Sequence, residues 1–230
     1  MNGSNSSHDF DLQITHSPWI YIFDKVRLKY ELSARIMSVT YYNQNAQSFY
    51  DGTLSVDMSS LCCRFEPYLP VNGRILDAGC GSGRDSRYFL DKGFDVSAFD
   101  ASAELAKLAS QLIHRPVTIC QFDEYESEQL FDGIWACASL LHVPKHKLAH
   151  VFHHLASLLK TDGLFYCSFK YGTDEVEREG RAFSNLTESG LEQILDGLPL
   201  QIHDMWQTGD LRPGRENERW LNAILVKTND

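Results

Sequence analysis

Three glycines at alternate positions, Gly79, Gly81 and Gly83, separate the apolar run Ile75-Leu76 and the following Asp77 from the helix-compatible stretch Ser86-Arg87-Tyr88-Phe89-Leu90. A strand that turns tightly into a helix leaves the first helical N–H groups unpaired and facing outward. Glycine permits the dihedrals of such a turn and lets a ligand approach the backbone. The spacing suits the holding of a nucleotide-like ligand. Asp100 adds an acid 21 residues beyond Gly79, at the end of the stretch DVSAFD. There it can accept hydrogen bonds from ribose hydroxyls, or cap a helix beginning near Ser102. Arg84 stands where a dinucleotide fingerprint needs its third glycine, and no G-x-x-x-x-G-K-[ST] loop occurs. A pyrophosphate cofactor and an ATPase are therefore both disfavoured.

The elements that would position these groups alternate. Strands are expected at 74–79, 95–100, 117–122, 132–138 and 163–170, with helices at 84–92, 102–113 and 144–160. Such alternation implies a doubly wound, mostly parallel α/β sheet covered on both faces. Before it, YYNQNAQSFYDG (41–52) and SVDMSSLCCRFEPYL (55–69) read as helices, the second with Asp57 or Ser59 as its cap. After Gly172 the pattern changes to a helix at 187–195 and two strands, 200–208 and 219–228. These form a hairpin that ends the sheet with an antiparallel strand. Residues 1–18 are polar and expected to be disordered, and 19–36 suit a short helix or pairing segment. The expected division is an extension over 1–36 and one domain over 37–230.

A net charge of −10 argues against a sequence-independent grip on polyphosphate, so nucleic acid is a disfavoured partner. The six cysteines include no C-x-x-C pair and fall mostly in apolar runs, as reduced thiols do. With no membrane-length apolar run and no signal-peptide core, a cytoplasmic protein is expected. His146, His150 and His154 recur at helical spacing, which could present metal ligands. They lie opposite the apolar face of their helix, however, and no Cys or acidic ligand accompanies them, so no metal is expected.

D-x-G-x-G-x-G followed by an acid ending the second strand resembles the class I S-adenosylmethionine-dependent methyltransferases. The resemblance runs from about Tyr41 to Thr228, and ILDAGCGSGRDSRYFLDKGFDVSAFD looks particularly like the tellurite-resistance-type small methyltransferases. LLKTDGLFYCSF resembles the family's approach to its fifth strand, with Thr161-Asp162 in place of the usual Pro-Gly. The resemblance implies a seven-stranded Rossmann-like sheet and S-adenosyl-L-methionine as methyl donor. It also assigns roles by position. Asp77 and the backbone of Gly79, Cys80, Gly81 and Gly83 would surround the methionine part, and Asp100 would bind the ribose with Ala101 beside the adenine. Phe122 and Asp123 would flank the adenine, and the carbonyl of Cys137 would take the amino group. Arg84 would reach the methionine carboxylate or remain a solvated helix residue. Tyr42 and Tyr50 would close over the cofactor or pack in the core. MSVTYYNQNAQ looks like a natural beginning for this family, which makes Met37 the expected functional start.

Methyl transfer needs alignment and dryness, and a base only if the acceptor must lose a proton. His142, in SLLHVP just past the fourth strand, is the candidate base or positioning residue, or else a loop histidine bonded to backbone. Neither a D/N-P-P-Y/F tetrapeptide, which would resemble base-amine methylation, nor the Pro-Cys pair usual in pyrimidine methylation occurs. Nucleic acid is therefore disfavoured as acceptor, and a small molecule, anionic or aromatic, is expected. Its wall would draw on Lys170, Tyr171, Arg178, Arg181, Trp206, Arg212, Arg219 and Trp220, unless these cations only pair with neighbouring acids. Two other functions fit the scaffold: a nicotinamide-dependent oxidoreductase, and a non-catalytic S-adenosylmethionine-binding regulator. Oligomeric state is not legible in the sequence.

Overall fold

The computed structural model describes residues 37–212, 214, 215 and 217–229. The expectations for 1–36 lie outside them. Seven strands form one sheet: β1 (Arg74–Ala78), β2 (Asp95–Asp100), β3 (Thr118–Ile119), β4 (Phe131–Ala136), β5 (Leu159–Lys170), β8 (Leu200–Gly209) and β9 (Arg219–Lys227). Their order is β3-β2-β1-β4-β5-β9-β8. β1 to β5 run parallel, and β9 inserts antiparallel between β5 and β8. The doubly wound sheet with its antiparallel C-terminal strand is as the sequence implied.

Along the central strands, successive side chains serve opposite faces. Leu76, Ile134 and Phe165 pack with α6 (Lys145–Ser157) and α7 (Glu188–Leu195). Ile75, Trp135 and Tyr166 pack with α3 (Ser59–Phe65) and α4 (Arg84–Asp91). The Trp135 and Tyr166 rings stack with centroids 3.9 Å apart. α5 (Ala103–Ile113) starts at Ser102, whose Oγ accepts from the Leu105 N–H as its N-cap. No described helix is long and apolar enough to cross a membrane.

Several boundaries differ from the sequence reading, each for a local reason. The helix expected over 41–52 is two, at 37–44 (α1) and Ala46–Leu54 (α2). At the break, the Tyr41 carbonyl accepts both the Asn45 N–H and the Asn45 side-chain amide. The helix expected over 55–69 is α3 with a 3₁₀ turn at Glu66–Tyr68, because Pro67 cannot continue the hydrogen-bond ladder. β3 keeps two residues of the expected six: a turn at 121–124, with the Glu124 carboxylate accepting from the Gln121 N–H, ends it. α6 stops at Ser157, and β5 begins before Asp162, which takes a left-handed φ of 60°.

The sequence reading left 173–186 unassigned, and here β6 (Glu175–Arg178) and β7 (Arg181–Ser184) form a separate hairpin. Its two turn residues, Glu179 and Gly180, have φ of 54° and 73°, the two-residue geometry that matches strand twist. Glutamate is an unusual choice at the first of these positions, so the turn carries no strong sequence signal.

Candidate active site

Two cavities open at the carboxyl ends of β1, β2 and β4 and share Gly79, Gly81, Tyr42, Phe49, Ala138 and His142. The smaller, of about 730 Å³, is bordered by Asp100, Ala101, Ser102, Leu105 and Phe122. Asp100 accepts from the Gly81 N–H through Oδ2 and from the Ser102 N–H through Oδ1, each at 2.8 Å. Burial raises its pKa, and these two bonds oppose the rise. Each oxygen keeps a lone pair, so the carboxylate can still take two hydroxyl donors. A Cβ built on Gly79, at φ 74°, would come 2.7 Å from the Ser139 Cβ. On Gly81 it would meet the Phe49 ring at 3.2 Å. The loop is therefore bare because its neighbours leave no room.

The larger cavity, of about 1070 Å³, passes from Asp77 and Arg84 to Lys170, Arg181 and Arg212. Burial, with the Asp85 carboxylate second, pushes the Asp77 pKa up to about 7 against the Ser86 hydroxyl that donates to it at 2.6 Å. Arg84 forks onto both Asp85 oxygens, at 2.6 and 3.0 Å, and the second oxygen also takes the Trp135 indole N–H. It is neither a solvated helix residue nor a free cation. Cys137 follows the end of β4 and borders this cavity. Next to it, Ala138 holds a φ of 52°, a strained value where the two cavities meet.

His142 is fixed at both nitrogens. Nδ1 lies 2.7 Å from the Ala182 carbonyl, which can only accept, so Nδ1 carries the proton. Nε2 then accepts the Tyr42 hydroxyl at 2.8 Å. Burial foremost, with Arg181 and Lys170 nearby, pulls the His142 pKa down to about 4. Burial likewise pushes Tyr42 up to about 12. The pair is neutral at physiological pH. α1 is tied down on either side of it: Ser38 Oγ accepts from the Ala182 N–H, and Asn43 Oδ1 accepts from the Ser102 hydroxyl.

Gly83 and Asp123 border neither cavity. Gly83 instead lets α4 approach α5, where its Cβ would meet Ala109 at 3.0 Å. Tyr171, Trp206, Arg178 and Arg219 also lie outside the larger cavity's wall. Tyr171 donates to Glu188, and Trp206 lies under Arg64 on the α3 side of the sheet. Tyr50 is outside both cavities. Phe49 of α2, whose ring meets that of Tyr42 edge-on with centroids 5.1 Å apart, lines them instead. Sequence reasoning missed Asn43, Ser139 and Phe183, because nothing local marks them. On α6, His154 Nε2 is engaged by the Tyr125 carbonyl at 2.9 Å.

A methyltransferase-domain family model matches residues 50–191. The chain is 32% identical to a ubiquinone biosynthesis O-methyltransferase of Xanthomonas axonopodis pv. citri, over 70% of this chain and 65% of that one. It is 33% identical to the methyltransferase YqeM of Bacillus subtilis, over 46% of this chain and 47% of YqeM. The chain thus spans about half to two thirds of the length of these curated relatives. Among solved structures it resembles Burkholderia thailandensis 1,6-didemethyltoxoflavin-N1-methyltransferase, with a TM-score of 0.65, 23% identity and coverage of 96% of this chain and 99% of that one. A TehB-like methyltransferase of Corynebacterium glutamicum has a TM-score of 0.62 at 21% identity, over 83% of this chain and 98% of that one. The chain belongs to the methyltransferase-domain family and carries the fold of the class I S-adenosylmethionine-dependent methyltransferases.

Proposed function

We propose that this chain transfers a methyl group from S-adenosyl-L-methionine to a small-molecule acceptor, with the nucleoside in the Asp100 cavity and the acceptor in the Arg181 cavity. The observation that carries the reading is the pair of cavities meeting at a glycine loop that no side chain can enter, with an acid whose two oxygens each keep a lone pair. The bound cofactor supplies a methyl group on a cationic sulfonium. Asp100 would hold the ribose hydroxyls, with Ala101 and Phe122 beside the adenine. Asp77, the Gly79–Gly81 backbone and Cys137 would receive the methionine portion. Tyr42 and Phe49 cover the junction, exclude water and hold the acceptor in line.

His142 would take the acceptor's proton through Tyr42, whose hydroxyl passes its own proton to Nε2 as it receives the acceptor's. A weak base suffices, because a heteroatom becomes a strong acid as it gains a methyl group. Likeness to the TehB-like structure supports placing the chain near the tellurite-resistance-type enzymes. The 1,6-didemethyltoxoflavin bound by the Burkholderia enzyme supports a small acceptor. Thermal-shift titration with S-adenosylmethionine, S-adenosylhomocysteine, NADH and NADPH tests the reading. The two sulfur compounds should raise the melting temperature by mass action and the nicotinamides should not. Stabilisation by a nicotinamide alone would overturn it.

A further inference from the structure

The larger cavity has two features that together describe what it accepts. The first is a row of rings. Phe49, Tyr42, His142 and Phe183 follow one another with centroid spacings of 5.1, 5.3 and 5.0 Å, all on the cavity wall. These spacings are those of favourable ring contacts, so a further ring laid along the row is met by more of the same.

The second is a balance of charge with one donor left over. Every cation on the wall has an acid beside it. Arg84 pairs with Asp85, Lys170 and Arg215 with Glu218, Arg181 with Glu179, and Arg212 with Asp210. Five cations thus face four paired acids and Asp77, whose pKa burial raises. That leaves room for one negative charge at most and opposes a dianion such as a phosphate ester.

Arg181 is 8% exposed, yet its Nε–H has no hydrogen-bond partner, although Nη2 donates to Glu179 at 2.6 Å. Its guanidinium carbon lies 5.3 Å from the Phe183 ring centroid, at the end of the aromatic row. A buried donor without a partner is costly; Nε is sealed from solvent as it stands, and a ligand oxygen relieves that cost once the guanidinium turns toward the cavity it borders. Two contacts fix Arg181: Glu179, in its left-handed turn conformation, takes Nη2, and the Tyr41 ring centroid lies 4.3 Å from the guanidinium carbon.

Resting on the reading of this cavity as the acceptor's, we infer that the methyl acceptor is an aromatic compound, neutral or singly negative, whose oxygen accepts the Nε–H of Arg181. Arg181 is then a specificity-determining residue. Benzoate, cyclohexanecarboxylate and phenyl phosphate, titrated calorimetrically into the full chain saturated with S-adenosylhomocysteine, test the ring, the charge and the donor together. Benzoate should bind about tenfold tighter than the other two. Arg181→Lys keeps a cation for Glu179 but lacks the Nε donor, and should weaken benzoate about tenfold without changing S-adenosylhomocysteine affinity. Equal affinity for cyclohexanecarboxylate or phenyl phosphate would overturn the inference. So would an unchanged benzoate affinity in Arg181→Lys with its melting temperature intact, or no benzoate binding at concentrations on the order of 10 mM. Failure of S-adenosylhomocysteine itself to bind would instead sink the functional reading beneath it.

Discussion

The two cavities that meet at Gly79 and Tyr42 are built by opposite means. The Asp100 cavity is organised by backbone, with N–H groups aimed at one carboxylate, a capped helix behind, and left-handed glycines that it shares with its neighbour. The Arg181 cavity is made by side chains from distant stretches, including α1, the β6–β7 hairpin and the loop after β8. A backbone site depends on dihedrals that few residues can adopt, so it tolerates little substitution and suits an invariant ligand. A side-chain site, with each charge offset by a neighbour, can be respecified one residue at a time while the sheet beneath stays unchanged.

The largest effect should come from breaking the backbone site. Gly79→Ala adds a Cβ 2.7 Å from that of Ser139 at a φ of 74°. Strain and overpacking together should cost roughly 2–4 kcal/mol of stability, measured by chemical denaturation, and abolish S-adenosylhomocysteine binding. A variant that binds normally would show that the loop is roomier than described.

A smaller effect should appear in pH dependence, and it sharpens the contrast at the junction of the cavities. Burial raises Asp77 from 3.8 to about 7, so the folded protein holds this proton more tightly than the unfolded chain does. That contribution favours folding at low pH and is lost as pH climbs from about 4 through 7. Asp77→Asn removes it, so the melting temperature of the variant should gain on that of the wild type across this window. His142 has the opposite sign. Its pKa falls from 6.5 to about 4, so stability drops as pH falls through that range, in wild type and Asp77→Asn alike. Parallel melting curves for the two proteins between pH 4 and 7 would refute the raised Asp77.

The same contrast explains how much was legible in the sequence. Gly79, Gly81 and Asp100 were readable because a strand, a bare turn and an acid must occur at set intervals along one stretch of chain. Asp100 also shows the limit of that reading. The helix cap proved to be Ser102, while Asp100 braces the Gly81 and Ser102 amides. The fold was readable from the alternation of strand and helix patterns. Lys170, Arg181 and Arg212 were readable as residue types suited to an acceptor, but not as a site. Their burial, pairing and distance from Phe183 depend on where β5, the hairpin and β8 converge. Arg84 likewise gave no sign that its partner would be its own neighbour, Asp85. Trp206 could not be told apart from a wall residue, because the face a strand residue takes is set by a register that sequence shows only weakly at a sheet edge. Tyr171, one residue past β5, is turned aside by Glu188 of a distant helix.

The most direct test is calorimetric titration of S-adenosylhomocysteine into the wild type and Asp100→Ala. The variant loses the carboxylate that would hold the ribose and leaves the Gly81 and Ser102 amides unpaired. The proposed division of labour predicts saturable binding by the wild type and a loss of about ten- to a hundredfold in Asp100→Ala. Equal affinity in the two proteins, or no binding to either, would contradict the assignment of the Asp100 cavity to the methyl donor.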